Sequence, residues 1–173
     1  MDGENTTGGN QVDAMVMRDL MRYWATGVTV VAAQHKGVSH GMTVSSFTSV
    51  SVDPPLVLVS LQRQARTHSL VQASAAFGVT ILQISQQEVA ERFAGRMENE
   101  LERFDGLKIF TMTTGAPLLL DGLAAFDCQV VEAYPVGDHT LFIGEVVALN
   151  LLKEGEPLVY CNRSYWSLKK DSE

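Results

Sequence analysis

The stretch Gly41-Met-Thr-Val-Ser-Ser-Phe-Thr-Ser-Val-Ser-Val-Asp-Pro-Pro55 carries the pattern from which the fold can be worked out. Its apolar, β-branched character predicts a strand, which the breaker Asp53-Pro-Pro55 ends. Six hydroxyl side chains fall within nine of its residues: Thr43, Ser45, Ser46, Thr48, Ser49 and Ser51. Such hydroxyls bind a phosphate or a polar chain without adding charge. Thr suits strands but Ser does not, so the repeated Ser indicates a binding strand, with an exposed polar face as the alternative.

The segments around this stretch predict further strands and a few helices. Alternating or continuous apolar runs predict strands over residues 28–33, 56–61, 77–83, 126–130, 141–149, 158–160 and 165–168. Apolar residues at helical spacing predict helices over residues 12–25, 67–76 and 86–95. Gly27 is the expected stop of the first helix. Turns are predicted at 35–37 and 134–139, and no βαβ alternation is present. The fold class is therefore mainly β, an antiparallel sheet closed or sandwiched, with peripheral helices.

Length and composition limit the classes of protein that the chain can be. Its 173 residues suit one domain, expected over residues 12–170 after a loose polar tail at 1–11. No apolar run is long enough to span a bilayer, and no signal segment opens the chain. Cys128 and Cys161 lie far apart, so free thiols are expected. Together these features favour a cytoplasmic protein that does not bind a membrane.

Charge is distributed unevenly along the chain. Residues 20–87 hold four basic side chains and one acidic one, Asp53, which gives this part a formal net charge of +3. The rest of the chain has a formal net charge of −10, so the whole chain has −7. The protein is acidic, yet carboxylates are nearly absent around its hydroxyl-rich segment. This segment therefore suits a small anionic ligand. Nucleic acid is not expected, because no basic run and no aromatic-basic alternation is present.

Several common catalytic motifs are absent from the sequence. It contains no GxGxxG, P-loop or HExxH motif. The string Gly37-Val-Ser-His-Gly41 matches GxSxG, but it lies between a predicted hairpin turn and a predicted strand, so it does not form the strand-to-helix elbow of a hydrolase. The four histidines are scattered without the spacing of metal ligands. Neither a metal site nor a hydrolase triad is expected.

Three further polar clusters lie at predicted strand ends. Ser60–Ser69 joins a strand to a helix, so Arg66, Thr67 and His68 surround a helix N-terminus that favours phosphate. The alternative is that Thr67 only caps that helix. Gly137-Asp-His139 is a turn whose histidine is either functional or simply solvated. Arg163 with Tyr160, Tyr165 and Trp166 forms the last cluster, or else an aromatic edge strand with a surface arginine.

Taken in order, these pieces resemble the flavin reductase-like domain family, the small reductases of two-component flavin-dependent monooxygenases. The resemblance runs from about Met21 to Leu168. Its motifs are Thr26-Gly-Val-Thr-Val-Val31, Gly41-Met-Thr-Val-Ser-Ser-Phe47, Val52-Asp-Pro-Pro-Leu56, Ser60-Leu61, Thr67-His-Ser-Leu70, Arg103-Phe104, Gly115-Ala-Pro-Leu118, Gly137-Asp-His-Thr-Leu-Phe-Ile-Gly-Glu-Val146 and Arg163-Ser-Tyr-Trp166. Each motif is weak alone, but their order and spacing together are specific.

The resemblance implies a fold, an assembly and roles for individual residues. The implied fold is an FMN-binding split β-barrel, and the implied assembly is a homodimer with sites at the subunit interface. The flavin ring and ribityl chain are assigned to Thr43, Val44, Ser45 and Ser46, with Ser60 and Leu61 approaching through their main chain. The phosphate is assigned to Arg66, Thr67 and His68, the ligand loop to Arg103 and Phe104, and a terminal contact to Tyr165. His139 is implied on the nicotinamide side, as the one residue assigned to catalysis.

The implied activity is hydride transfer from NADH or NADPH to FMN or FAD, with reduced flavin supplied to a partner monooxygenase. The cofactors carry this chemistry, which agrees with the lack of a visible catalytic dyad. Two alternatives remain open from the sequence. One is an electron carrier of the same fold with non-dissociating FMN, and the other is a ligand-sensing protein without turnover.

Overall fold

A computed structural model describes residues 12–95 and 102–168. The predicted tail at 1–11 lies outside the described residues. Its helices are α1 (Ala14–Met21), α2 (Arg66–Ser74) and α3 (Gln87–Phe93), the last preceded by a 3-10 turn at Ile84–Gln86. Its strands are β1 (Thr26–Gly27), β2 (Thr29–His35), β3 (Val38–Val44), β4 (Thr48–Ser51), β5 (Leu56–Gln62), β6 (Ala76–Ile81), β7 (Ile109–Phe110), β8 (Leu118–Leu119), β9 (Ala124–Val136), β10 (His139–Leu151), β11 (Val159–Cys161) and β12 (Ser164–Trp166). No helix within these ranges is long and apolar enough to cross a membrane.

One seven-stranded antiparallel sheet organises the chain, in the order β3-β2-β6-β9-β10-β5-β4. Smaller sheets join β1, β11 and β12, and pair β7 with β8. The mainly β, antiparallel fold with peripheral helices is thus confirmed. The two edge strands, β3 and β4, are consecutive in the chain, and among the described residues no ladder pairs them. The sheet is therefore open, with β3 and β4 as its two edges.

Tight turns set the register of the sheet. Lys36 and Gly37 both have positive φ, the geometry of a two-residue hairpin whose twist matches its strands. They join β2 to β3 with Thr29 opposite Val44. A second two-residue turn, Gly137-Asp138, in which Gly137 has positive φ, joins β9 to β10, and His139 is the first residue after it. The predicted turn at 134–139 is therefore shorter, because β9 runs on to Val136.

The sheet and the two inner helices bury two apolar clusters. One contains Phe77, Phe142, Leu61 and Val59 under α2, whose Val71 is fully buried. The other contains Val28, Leu82, Phe93 and Leu158 beside α3. Successive side chains of a strand point to opposite faces. Accordingly, Thr43 contacts α3 while its strand neighbour Met42 packs on the α2 cluster, so the edge strand β3 lies between the two helices.

Three local predictions need correction. The hydroxyl-rich stretch forms two strands, β3 and β4, separated by a bend at Ser45–Phe47. The first helix ends at Met21, before the predicted end at residue 25. Gly27, predicted to stop this helix, lies instead in β1, where it pairs with Val159. The strand predicted over residues 126–130 is longer, at Ala124–Val136. Its Asp127 is fully buried and accepts hydrogen bonds from the main-chain N–H and the hydroxyl of Thr114.

Candidate functional site

The bend at Ser45–Phe47 forms one wall of a cavity of about 380 Å³. Val44 ends β3 with its side chain buried, and its carbonyl accepts a hydrogen bond of 2.9 Å from the Thr29 hydroxyl. The opposite wall is the segment 24–27, which joins α1 to β2. The lining combines aromatic, apolar and hydroxyl groups: Trp24, Thr26, Thr29, Ser45, Ser46, Phe47, Thr48 and Ile81. The cavity therefore offers flat apolar contact with hydroxyl donors around it.

The hydroxyls of this stretch have different partners. The Thr43 hydroxyl donates a 2.6 Å hydrogen bond to the Ala90 carbonyl of α3. The Ser46 hydroxyl donates to the Ser60 carbonyl at 2.9 Å and accepts from the Ser60 N–H at 3.0 Å. Ser45 is exposed and lines two cavities. Of these three residues, Ser45 is the one whose side chain projects into open space.

A second cavity, of about 150 Å³, adjoins the first through Ser45. It is lined by Val28, Thr43, Ser45, Ala94, Tyr160 and Tyr165. The two tyrosine rings meet edge to face, with centroids 5.2 Å apart, across the β11–β12 pair. The fold therefore places Tyr165, about 120 residues away in sequence, beside the hydroxyl stretch.

The start of α2 brings polar groups to the edge strand β3. Thr67 is fully buried, and its hydroxyl forms a 2.7 Å hydrogen bond with His40 Nδ1. Burial, with Arg103 and Arg66 nearby, lowers the pKa of His40 to about 4. The imidazole is therefore neutral at pH 7. Thr67 does not cap the helix, because Ala65 is the N-cap residue and no side chain caps it.

Arg103 and Phe104 secure the chain that follows α3. Arg103 Nη1 donates to the carbonyls of Gly41, at 2.7 Å, and Phe93, at 2.8 Å. Burial, with Arg66 nearby, lowers the pKa of Arg103. The Phe104 ring packs edge-on against Phe93, with centroids 5.1 Å apart. Arg103 thus joins the edge of β3 to α3 and stands in the same positively charged region as Arg66.

The other two histidines of interest lie at the far end of β5. His68 is buried, and its Nε2 forms a 2.8 Å hydrogen bond with the Thr140 hydroxyl. Burial, with Arg63 nearby, lowers its pKa. His139 is half-exposed and lies opposite Gln62 of β5. Its Nδ1 bonds Asp138 at 2.7 Å, which lowers the pKa of Asp138.

A polar cleft of about 610 Å³ lies beside the Gly137-Asp138 turn. Gln62, Arg63, Gln64, His68, Ser69 and Gln72 line its other walls. Arg63 N–H donates to the Asp138 carbonyl at 2.9 Å, which ties this turn to the connection between β5 and α2. Strand β5 reaches both the cleft and the bend at Ser45–Phe47, since its Gln62 lines the cleft and its Ser60 contacts Ser46.

The structure sorts the predicted site residues into groups. Ser45, Ser46, Thr43 and Tyr165 line the joined cavities, whereas the side chains of Val44 and Leu61 are core residues. Arg66, Thr67 and Arg103 share one region, and His68 and His139 lie near the polar cleft. Sequence reasoning missed His40, which lacks metal-ligand spacing but directly precedes the Gly41 motif. It also missed Trp24, which it assigned to a helix.

In a comparison with known protein families, residues 21–169 of this chain match the flavin reductase like domain. The actinorhodin polyketide dimerase of Streptomyces coelicolor is 36% identical and covers 90% of this chain and 87% of its own length. An NADH-dependent flavin reductase of a Rhodococcus species is 37% identical, and the alignment covers 92% of this chain and 89% of that protein. The reductase component of Thermus thermophilus 4-hydroxyphenylacetate 3-monooxygenase is 35% identical, and the alignment covers 86% of this chain and 92% of that protein.

Among solved structures, the NADH:FAD oxidoreductase SgcE6 of Streptomyces globisporus, in complex with NAD and FAD fragments, superposes with a TM-score of 0.84. It is 31% identical, and the alignment covers 95% of this chain and all of that one. The family match at residues 21–169 includes all the described strands and the segments that line the two cavities near Ser45.

Proposed function

The chain belongs to the flavin reductase like domain family, and from this we propose that it transfers hydride from NADH or NADPH to FMN or FAD. The reduced flavin then serves a separate monooxygenase. The observation that carries the proposal is the pair of joined cavities at Ser45, which lie on the segment that this family's motif occupies.

The lining of the larger cavity fits a flavin ring. A planar, mostly apolar ring with a polar edge needs aromatic or aliphatic walls and a few hydroxyl or amide partners. Trp24, Phe47 and Ile81 supply the walls, and Thr26 and Ser45 supply hydroxyls. The adjoining space beside Tyr165 accommodates part of the same ligand or of its reaction partner.

The region around the start of α2 fits the phosphate end of the flavin. The guanidiniums of Arg66 and Arg103 lie close enough to His40 to lower its pKa, and no acidic residue contributes to that shift. Two cations near one neutral imidazole favour an anion there. Thr67 holds His40 in place through its hydroxyl. Arg66 is exposed, so its side chain is free to turn toward a bound phosphate.

The protein's contribution to the reaction is to position the two cofactors. When bound, the nicotinamide and the flavin supply the hydride donor and acceptor. Hydride transfer needs the two rings stacked at about 3–3.5 Å. We assign one ring to the cavity walls. We assign a hydrogen bond to the nicotinamide cofactor to His139, because this residue is half-exposed at the strand end opposite Gln62. No strong acid or base is required of the chain.

A homodimer is the assembly that we propose. Helix α1 has no buried residue and exposes Met15, Met17, Leu20 and Met21. Leu149 and Leu151 at the end of β10 are also two-thirds exposed. Apolar surface of this extent is typical of a protein–protein contact, and pairing two chains would also cover the segment 24–27 that walls the cavity. Both cysteines are free, which agrees with a reducing, cytoplasmic location.

Steady-state oxidation of NADH and NADPH, with riboflavin, FMN and FAD supplied in turn, tests the proposed activity. We expect turnover with added flavin, together with loss of flavin from the protein on gel filtration. Ser45→Asp should weaken flavin binding because it adds a carboxylate inside the cavity, whereas Ser49→Asp in exposed β4 should not. A protein that stays yellow through gel filtration would identify the electron carrier instead. No nicotinamide oxidation with any flavin would contradict the proposal.

A further inference from the structure

The Ser46–Ser60 contact extends the β4–β5 ladder by one position through a side chain in place of main-chain hydrogen bonds. In that ladder Thr48 lies opposite Leu58, so two residues further along Ser46 lies opposite Ser60. At this position the main chains do not bond each other directly. The Ser46 hydroxyl donates to the Ser60 carbonyl at 2.9 Å and accepts from the Ser60 N–H at 3.0 Å. One hydroxyl therefore satisfies both groups that a partner residue's main chain would satisfy in a regular ladder.

This side-chain bridge occurs where the chain passes between the two edge strands of the sheet. Residues 45–47 cross from edge strand β3 to edge strand β4. On its other side, Ser60 pairs with Leu141 of β10. Because the bridge passes through a side chain, the main chain at the bend stands farther from β5 than a direct ladder would hold it. The bend is thereby fixed in place while space for the cavity remains beside it.

We propose that Ser46 is a positioning residue, whose hydroxyl fixes the bend to β5 and so sets the place of Ser45 at the cavity wall. Direct contact with flavin falls to Ser45, which is exposed between the two cavities. The Ser46 hydroxyl has one proton to donate, and the Ser60 carbonyl accepts it. This inference rests on the proposed function only where flavin affinity is concerned.

Hydrogen exchange of the Ser60 amide in the flavin-free protein is the first measurement. Ser46→Ala removes the acceptor of that amide, so we expect its exchange to accelerate about tenfold. Ser45→Ala should leave it unchanged, and so should Ser49→Ala, the matched control in exposed β4. Unchanged Ser60 exchange in Ser46→Ala would overturn the proposal. This measurement does not depend on turnover, so its failure is distinct from a failure of the proposed function.

Flavin binding by fluorescence titration is the second measurement. We expect Ser46→Ala to weaken FMN binding several-fold, and Ser46→Thr, which retains the hydroxyl, to restore both affinity and slow exchange. If Ser46→Ala is poorly folded, Ser46→Thr and Ser46→Val form a pair of matched shape that differs in the hydroxyl alone. Faster Ser60 exchange without any loss of FMN affinity would overturn the positioning role. Weaker FMN binding with unchanged exchange would show that Ser46 contacts flavin directly.

Discussion

At the scale of single residues, neighbouring groups of one chemical type have different roles. Ser45 and Ser46 are adjacent, yet Ser46 bonds the main chain of β5 and Ser45 faces the cavities. Arg66 and Arg103 share a region, but Arg103 is bonded to two carbonyls while Arg66 is exposed. Arg66 is thus the cation that is available to a ligand phosphate.

Arg66→Ala should remove the preference of the protein for FMN over riboflavin. A charge-assisted contact to phosphate is worth about 1.5–3 kcal/mol, or roughly ten- to a hundredfold in affinity. Fluorescence titration of both flavins should therefore show tighter FMN binding in the parent protein and near-equal affinities in the variant. Lys153→Ala, an exposed cation after β10, is the matched control and should keep the preference. Equal affinities already in the parent protein would exclude a phosphate role for Arg66.

His139→Ala should impair the use of NADH and leave flavin retention unchanged. His139 is half-exposed at the start of β10 and bonded to Asp138, away from the Ser45 cavities. Loss of one hydrogen bond to the nicotinamide cofactor should lower kcat/KM for NADH about tenfold, equivalent to about 1.4 kcal/mol. Flavin Kd, measured in parallel, should move little. Unchanged NADH kinetics would leave His139 as a solvated turn residue.

At the scale of elements, α2 is held at its start by two histidine–threonine hydrogen bonds. Thr67 of the helix bonds His40 of β3, and His68 of the helix bonds Thr140 of β10. Adjacent residues of one helix thus connect to two strands that are four positions apart in the sheet. Both imidazoles have a lowered pKa, chiefly because burial disfavours their charged form. The packing of α2 against the sheet should therefore weaken when these histidines are protonated at low pH.

The protein should lose stability as the pH falls from about 6.5 toward 4. His40 titrates at about 4 when folded and near 6.5 when unfolded. Between those values the unfolded chain binds more protons, so the free energy of unfolding falls with falling pH and is fully retained above 6.5. After discounting for solvent screening, we expect a loss of about 1 kcal/mol between pH 7 and pH 5.

Urea denaturation at pH 7 and at pH 5 measures this loss. The midpoint should drop with little change in the denaturant slope. His40→Gln, which retains a hydrogen-bonding group for Thr67, should show a smaller drop between the two pH values. His35→Gln, at the end of β2 beside the Lys36-Gly37 turn, is the control and should behave like the parent. An identical pH dependence in parent and His40→Gln would contradict the assignment.

At the scale of the whole molecule, large apolar side chains are exposed on α1 and at the end of β10, where it pairs with the start of β9. Met17 and Leu20 are 59% and 66% exposed, and Leu149 is 67% exposed. Burying such a side chain stabilises an association by about 1.5–3 kcal/mol. A second copy of the chain is the partner that we propose for this surface.

Light scattering at micromolar concentration should therefore give twice the mass of one chain. Replacing Met17 and Leu20 together by Lys should shift the protein toward monomer, because two charges would be buried in the contact. Arg18→Ala changes the same helix without affecting its apolar residues and should leave the dimer intact. A monomeric parent protein under these conditions would refute the proposed assembly.

Local patterns in the sequence were sufficient for the class of fold and for the region of the site. Alternating apolar residues, the turn at Lys36-Gly37 and the hydroxyl stretch all act over a few residues, so their consequences can be read directly. The motif order similarly identified the family. What the sequence could not show is which hydroxyl meets a ligand and which meets the chain. Ser46 and Ser60, or His40 and Thr67, are joined by strand pairing and helix packing between residues 14 and 27 positions apart. Those contacts depend on the register of the assembled sheet, and they decide that Ser46 and Thr67 serve the framework while Ser45 and Arg66 remain available to a ligand.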